Sequence, residues 1–184
     1  MKKPFYSSFL LTALLSMVGI PVLAYDIAVE NEDGITIYYS WTNNHTELAV
    51  SRGIFFISEE NNGNLVIPDS VTYQETTYPV TSIDRMAFYS CVGLKNITIP
   101  NSVDSIGDSA FQNCTSLTSV TIPNSVLSIG NSAFYVCSGL TSVTMSNNVA
   151  TIGEHAFAHC PNLTSMTIPN SITSIGGYAF QGCI

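Results

Sequence analysis

Five cysteines, Cys91, Cys114, Cys137, Cys160 and Cys183, follow one another at intervals of 23 residues, and they are all the cysteines in the chain. Thiols can pair, hold a metal or attack a substrate, and each use needs its own geometry. Even spacing argues for equivalent places on stacked coils, where neighbouring side chains lie about 4.8 Å apart and run parallel. A disulfide instead needs Cβ atoms about 3.8 Å apart and inclined toward each other. An odd count leaves one sulfur unpaired in any case. The expectation is a buried column of free thiols.

The other candidates for chemistry are sparse. His155 and His159 stand four apart with Glu154 adjacent, a grouping that superficially suits zinc, but no third ligand follows at a fixed spacing. They also occupy repeat positions filled elsewhere by Ser109, Ser132 and Tyr178, and by Asn113, Val136 and Gly182. No metal site and no cofactor are expected. A catalytic nucleophile needs a base within reach and an orienting partner. The serines recur in every unit, and Asp104, Asp108 and Glu154 are the only acids from Cys91 onward. Gly107, Gly130, Gly153 and Gly176 recur singly and read as bends, not as a phosphate loop. No enzyme is expected. Five basic against 13 acidic residues give a net charge of −8, with Arg52, Arg85 and Lys95 the only cations after Lys3. That balance excludes a basic stripe for nucleic acid. The 46% hydrophobic content excludes a disordered polyelectrolyte.

The cysteine period belongs to a larger repeat. When the four units from Cys91 to Gly182 are superposed, eight positions are identical; in the second unit they are Cys114, Leu117, Thr121, Asn124, Ile129, Gly130, Ala133 and Phe134. A unit of 23 residues is too small to bury its own apolar face, so the units must stack. Val120 and Ile122 alternate with Ser119 and Thr121, as a half-buried strand does, and Leu117 turns inward just before them. Pro123 stops the strand and Asn124-Ser125 has turn chemistry. Val126 and Ile129 then point inward in a shorter extended piece. The Ala133-Phe134 pair predicts one helical turn that fills the coil from its other side. Asn101, Asn124, Asn147 and Asn170 are expected to stack as a structural amide ladder. Stacked units make a parallel sheet, so the fold class is an α/β solenoid.

The pattern Leu117-x-x-Val120-x-Ile122-Pro123, Val126-x-x-Ile129-Gly130, Ala133-Phe134-x-x-Cys137 resembles the BspA-like class of bacterial leucine-rich repeats. The resemblance covers roughly Leu65 to the end, with one departure at Met145-Ser146, where the other full units have Ile-Pro. It implies a right-handed, curved leucine-rich-repeat solenoid on a secreted or cell-surface protein that binds other macromolecules, in some members as an adhesin for host matrix proteins.

The N-terminus reads differently. Lys2 and Lys3 precede an apolar run, Phe9 to Ala24, that ends in small residues. It is shorter than the roughly 20 residues of a spanning helix, so residues 1–24 are expected to be a cleaved signal peptide. That implies export and no stable membrane insertion afterwards. Residues 25–64 are expected to form an antiparallel β cap, with strands near Tyr25 to Val29, Gly34 to Trp41 and Glu47 to Ser51, covering an otherwise open sheet edge. Residues 65–184 form the solenoid: an irregular repeat at 65–90, regular repeats at 91–113, 114–136, 137–159 and 160–182, and the start of another at 183–184. In the irregular repeat, Thr72 to Tyr78 predicts a hairpin, and Asp84 stands where later units have glycine. Ten of the 13 acids lie between Asp26 and Asp84. After Cys183-Ile184 no polar terminal unit follows, and two readings stand: the last coil is covered by a partner, such as a second copy stacking end to end, or the sequence continues in a longer protein.

Two surfaces could bind. The outward strand face carries Asn96, Thr98, Ser119, Thr121, Ser142, Thr144, Ser165 and Thr167, a flat hydroxyl array suited to an extracellular protein or matrix ligand. Threonine is also simply a good exposed strand residue. The second surface is where units differ, at Asp104, Leu127, Ala150 and Thr173, and at Asp108, Asn131, Glu154 and Gly177. The expected function is a non-catalytic binding module of adhesin type; the alternative is a structural spacer that assembles through its last coil.

Overall fold

A computed structural model describes residues 25–31, 34–53 and 63–183; the expected signal peptide, Met1 to Ala24, lies outside the described residues. The strands are β1 (Ile27–Glu30), β2 (Thr36–Thr42), β3 (Glu47–Val50), β4 (Asn64–Val66), β5 (Ser70–Tyr73), β6 (Thr76–Ile83), β7 (Asn96–Thr98), β8 (Ser105–Ile106), β9 (Ser119–Ile122), β10 (Ser128–Ile129), β11 (Ser142–Met145), β12 (Thr151–Ile152), β13 (Ser165–Met166) and β14 (Ser174–Ile175). The repeat therefore contributes two strands per coil, a first of two to four residues and a second of two. The first strands form a five-stranded sheet in the order β13-β11-β9-β7-β4. Its pairs are parallel and in register at the repeat period, with Val120 beside Val143 and Thr121 beside Thr144.

The short strands run up the second side of the coil, in the order β6-β8-β10-β12-β14. Before them β1, β2 and β3 pair antiparallel, and β3 joins β6 in parallel. The expected hairpin is present: β5 and β6 are antiparallel about Gln74 and Glu75, whose φ values of 47° and 66° fit a tight two-residue turn.

Between the sheets lies a core of repeating columns. Phe88, Phe111, Phe134 and Phe157 are fully buried, and their rings stack at 5.0 to 5.2 Å with interplanar angles below 10°. Leu94, Leu117, Leu140 and Leu163 form a second buried column, and Ile106, Ile129 and Ile152 a third.

The expected helical turn does not form, and the α/β label falls with it. Among the described residues the only helix is a three-residue 3-10 segment, Asn43–His45. The run after each glycine is a chain of turns, because two of its residues are left-handed: Ser109 and Asn113, then Ser132 and Val136, then His155 and His159, with φ between 54° and 63°. Such residues cannot continue a right-handed helix. Their amides also have other partners. Ala110, Gln112 and Cys114 bond locally to Gly107, Ser109 and Phe111, whereas Ser109, Phe111 and Asn113 donate to carbonyls of Asn131, Ala133 and Tyr135 on the next coil at 2.7 to 2.9 Å. Alternate amides thus build a third coil-to-coil ladder, where a helix would have used all of them internally.

The recurring glycines are not required as bends. None of Gly107, Gly130 and Gly153 has a left-handed φ, and a Cβ on Gly130 would lie 2.6 Å from the Asp108 nitrogen and the Gly107 carbonyl carbon of the preceding coil. Their role is to let successive backbones touch. No described helix is long and apolar enough to cross a membrane.

Candidate functional site

The outward side of the five-stranded sheet is set by strand alternation. Val120, Ile122 and Val143 turn inward and are buried, so Ser119, Thr121, Ser142 and Thr144 face solvent. Asn96 and Thr98 are exposed on β7, and Thr167 is exposed just beyond β13. Ser165 pairs with Ser142 in the sheet. The structure therefore collects these predicted positions into rows that run along the coil stack.

Their hydrogen bonding separates the face into two zones. At the N-terminal end the Asn96 amide donates to Asn64 Oδ1 at 2.8 Å. Thr118 and Thr141, just before the strands, donate back to the Lys95 and Thr118 carbonyls at 3.1 and 3.0 Å. Among the described residues, no hydrogen bond engages the side-chain hydroxyls of Ser119, Thr121, Ser142 and Thr144. Each can donate once and accept twice. No charged side chain stands among them, so the face can form hydrogen bonds but cannot perform acid-base chemistry.

The sulfur column lies opposite, in the core. Cys114, Cys137, Cys160 and Cys183 each donate a thiol hydrogen to the carbonyl of the phenylalanine 26 residues earlier, at 3.1 to 3.2 Å. All five cysteines are free. Burial pushes the Cys91 and Cys160 thiols up to about 12 and raises Cys114, Cys137 and Cys183 as well. A nucleophile needs the thiolate, which this environment suppresses. The column is a structural bond from coil to coil.

Two sequence readings need correction. Asn101, Asn124, Asn147 and Asn170 are exposed and form no amide ladder; instead the neighbouring Asn148 amide donates to the Asn124 carbonyl at 2.7 Å. A ladder does exist at positions that look variable. Asp108 Oδ1 accepts the backbone N–H of Asn131 at 2.7 Å, and Asn131 Oδ1 accepts the backbone N–H of Glu154 at 2.8 Å. What repeats there is a side-chain oxygen at one reach, which aspartate and asparagine both supply. The shared carbonyl-type acceptor was the only sequence signal, and identity matching hides it.

His155 and His159 do not converge on a common point. Tyr135 lies against both, its ring nearly perpendicular to each, with centroids 6.3 and 5.4 Å away. His155 Nε2 is 3.5 Å from Glu154 Oε1. Among the described residues no group of three His, Cys, Asp or Glu could hold a metal ion. Sequence reasoning also passed over a second aromatic group at the N-terminal end, where Trp41 packs edge-on against Tyr78 and Tyr73 at 4.7 and 6.3 Å.

Beyond the last coil, Leu163, Thr164, Met166, Ile168, Phe180 and Cys183 line an open hollow of about 200 Å³. In this coil Ile168 and Ile175 are 40% and 47% exposed, unlike their buried counterparts Ile122 and Ile129 in an inner coil.

Comparison with known proteins bears on these features. The family model for the BspA type leucine rich repeat region matches residues 56–184, in six copies. No curated protein matches the chain. Among solved structures, the chain is similar to a leucine rich repeat protein of T. pallidum, TpLRR, with 28% identity and a TM-score of 0.69 over 79% of this chain and 64% of that one. It is similar in fold to the pneumococcal vaccine antigen PcpA, with 19% identity and a TM-score of 0.63 over 85% of this chain and 47% of that one. The chain thus spans less than two thirds of the length of either.

Proposed function

Because the chain belongs to the BspA-type leucine rich repeat family, whose solenoids are generally binding modules and not catalysts, we propose that it is a secreted or cell-surface adhesin-like domain. Its ligand is an extended segment of an extracellular protein or matrix. The observation that carries this reading is the row of exposed, unbonded hydroxyls at Ser119, Thr121, Ser142 and Thr144, held in register by parallel pairing. A rigid sheet loses little conformational freedom on binding, so few of its contacts are offset by ordering. Export follows from the signal-peptide pattern of residues 1–24. The antiparallel strands β1 to β3 serve in this reading to cover the first coil, leaving the sheet face as the working surface.

The test is binding of the purified chain to immobilised matrix proteins, alone and with Thr121→Arg or Thr144→Arg. Either arginine should abolish capture, since it stands across the rows. Capture that survives both changes would refute the sheet-face site.

A further inference from the structure

We propose that the sulfur column in the core is also a binding site for a soft monovalent cation of the copper(I) or silver(I) type, each ion held in line between cysteines of adjacent coils. All five thiols are free. Four of them make one and the same bond, from sulfur to a phenylalanine carbonyl on the preceding coil at 3.1 to 3.2 Å. Equal bonds at every coil set the sulfurs in line and one coil apart. The buried phenylalanine rings measure that step, 5.0 to 5.2 Å with interplanar angles of 2° to 9°. An ion midway between neighbouring sulfurs is therefore about 2.5 Å from each, close to the ~2.3 Å of a zinc–thiolate bond. It enters the column without parting the coils.

The surroundings select the ion by softness, ligand number and charge. Cys114, Cys137 and Cys160 are fully buried in the hydrophobic core, and Ser51 is the only buried polar or charged residue among the described residues. The column thus offers sulfur without oxygen donors, which favours soft ions over magnesium or calcium. Zinc takes four ligands in a structural site, and among the described residues no group of three His, Cys, Asp or Glu could hold an ion. A soft monovalent ion is satisfied by two sulfurs in a line.

Uptake keeps the core neutral. One S–H bond breaks heterolytically, its electron pair forms the sulfur–metal bond, and the proton leaves to solvent. The neighbouring sulfur donates a lone pair, and no oxidation state changes. One positive charge enters for each that leaves, so no net charge is buried. Cys91, only partly buried, gives the first gap its access to solvent.

Titration of the full chain with silver(I) nitrate in chloride-free buffer tests this. Up to one ion for each gap between successive cysteines is expected, with one proton released per ion and an unchanged far-ultraviolet circular dichroism spectrum. Two triple variants separate the column from ordinary thiol binding. Cys137→Ala with Cys160→Ala and Cys183→Ala keeps the neighbours Cys91 and Cys114; Cys114→Ala with Cys160→Ala and Cys183→Ala keeps Cys91 and Cys137, two coils apart. Against glutathione as competitor, the first should hold one ion at least about tenfold more tightly than the second. Thr121→Arg should leave uptake unchanged, which separates this site from the sheet face. Equal retention by the two triple variants overturns the proposal. So does uptake by the parent that requires loss of its circular dichroism signal or that releases no protons, and this measurement decides alone where a triple variant does not fold.

Discussion

Gly130→Ala separates two accounts of the recurring glycine by the sign of its effect. If Gly130 only eased a bend, alanine would fit its ordinary backbone and stabilise the fold by about 0.4–1 kcal/mol through the unfolded chain. The geometry gives the opposite result. The new Cβ would meet Asp108 N and Gly107 C at 2.6 Å, where ordinary contact begins at 3.4 Å, so the coils must part by roughly 0.8 Å. Three bonds span that gap: Gly130 N to Ile106 O at 2.8 Å, Asn131 N to Asp108 Oδ1 at 2.7 Å, and Ser109 N to Asn131 O at 2.8 Å. Lengthening each to about 3.5 Å leaves little of it, and at ~1 kcal/mol apiece the loss is about 3 kcal/mol. In urea that lowers the unfolding midpoint by about 1–3 M for slopes usual in small proteins. Gly177→Ala is the control, since its φ is not left-handed and nothing lies within 4 Å of its Cβ; it should stabilise the fold by about 0.4–1 kcal/mol. A Gly130→Ala protein as stable as the parent would refute the close-contact argument.

Two further outcomes follow. Phe134→Ala should cost about 3–5 kcal/mol, and a double-mutant cycle of Phe111→Leu with Phe134→Leu should show a coupling of about 0.5–1.5 kcal/mol from the stacked pair; independent effects would show that the stack contributes only buried area. The thiols should make the fold sensitive to alkali: folded Cys91 and Cys160 titrate near 12 against an ordinary value of 9.0, so the unfolded chain releases those protons first. Their contribution is complete below pH 9 and declines by up to ~1.4 kcal/mol per pH unit for each thiol between pH 9 and 12. Urea midpoints measured from pH 8 to 11 should fall, and Cys160→Ala should flatten the fall; an unchanged slope in that variant would refute the assignment.

The sequence made the axial order legible because one period governs every contact between coils. Any residue 23 places from another had to be its neighbour, so the parallel registers and the sulfur column could be read before the fold. The cross-section of the coil was less legible. Ala133-Phe134 has the apolar content of a helical turn, and only Ser132 and the mixed Asn113, Val136, His159 and Gly182 position hinted at left-handed backbone, which asparagine, histidine and glycine tolerate but valine does not advertise. The glycines were visible and misread, because a residue that bends the chain and one that permits contact look alike in one dimension. The hydroxyl rows were found by alternation alone. The packing of Tyr135 against His155 and His159 was missed because the three sit at different positions of the unit and meet only once coils are stacked.

The third ladder has a consequence for how such a chain can lengthen. Each 23-residue cassette is fastened to its neighbours on every side, by two sheets and by alternate amides of the turns. Duplication or loss of a whole cassette leaves every fastening intact, whereas a single-residue insertion within the turn run swaps which amides reach across and which close locally. Growth by unequal exchange of complete cassettes is therefore conformationally neutral, and variation in length should arise in whole multiples of that unit.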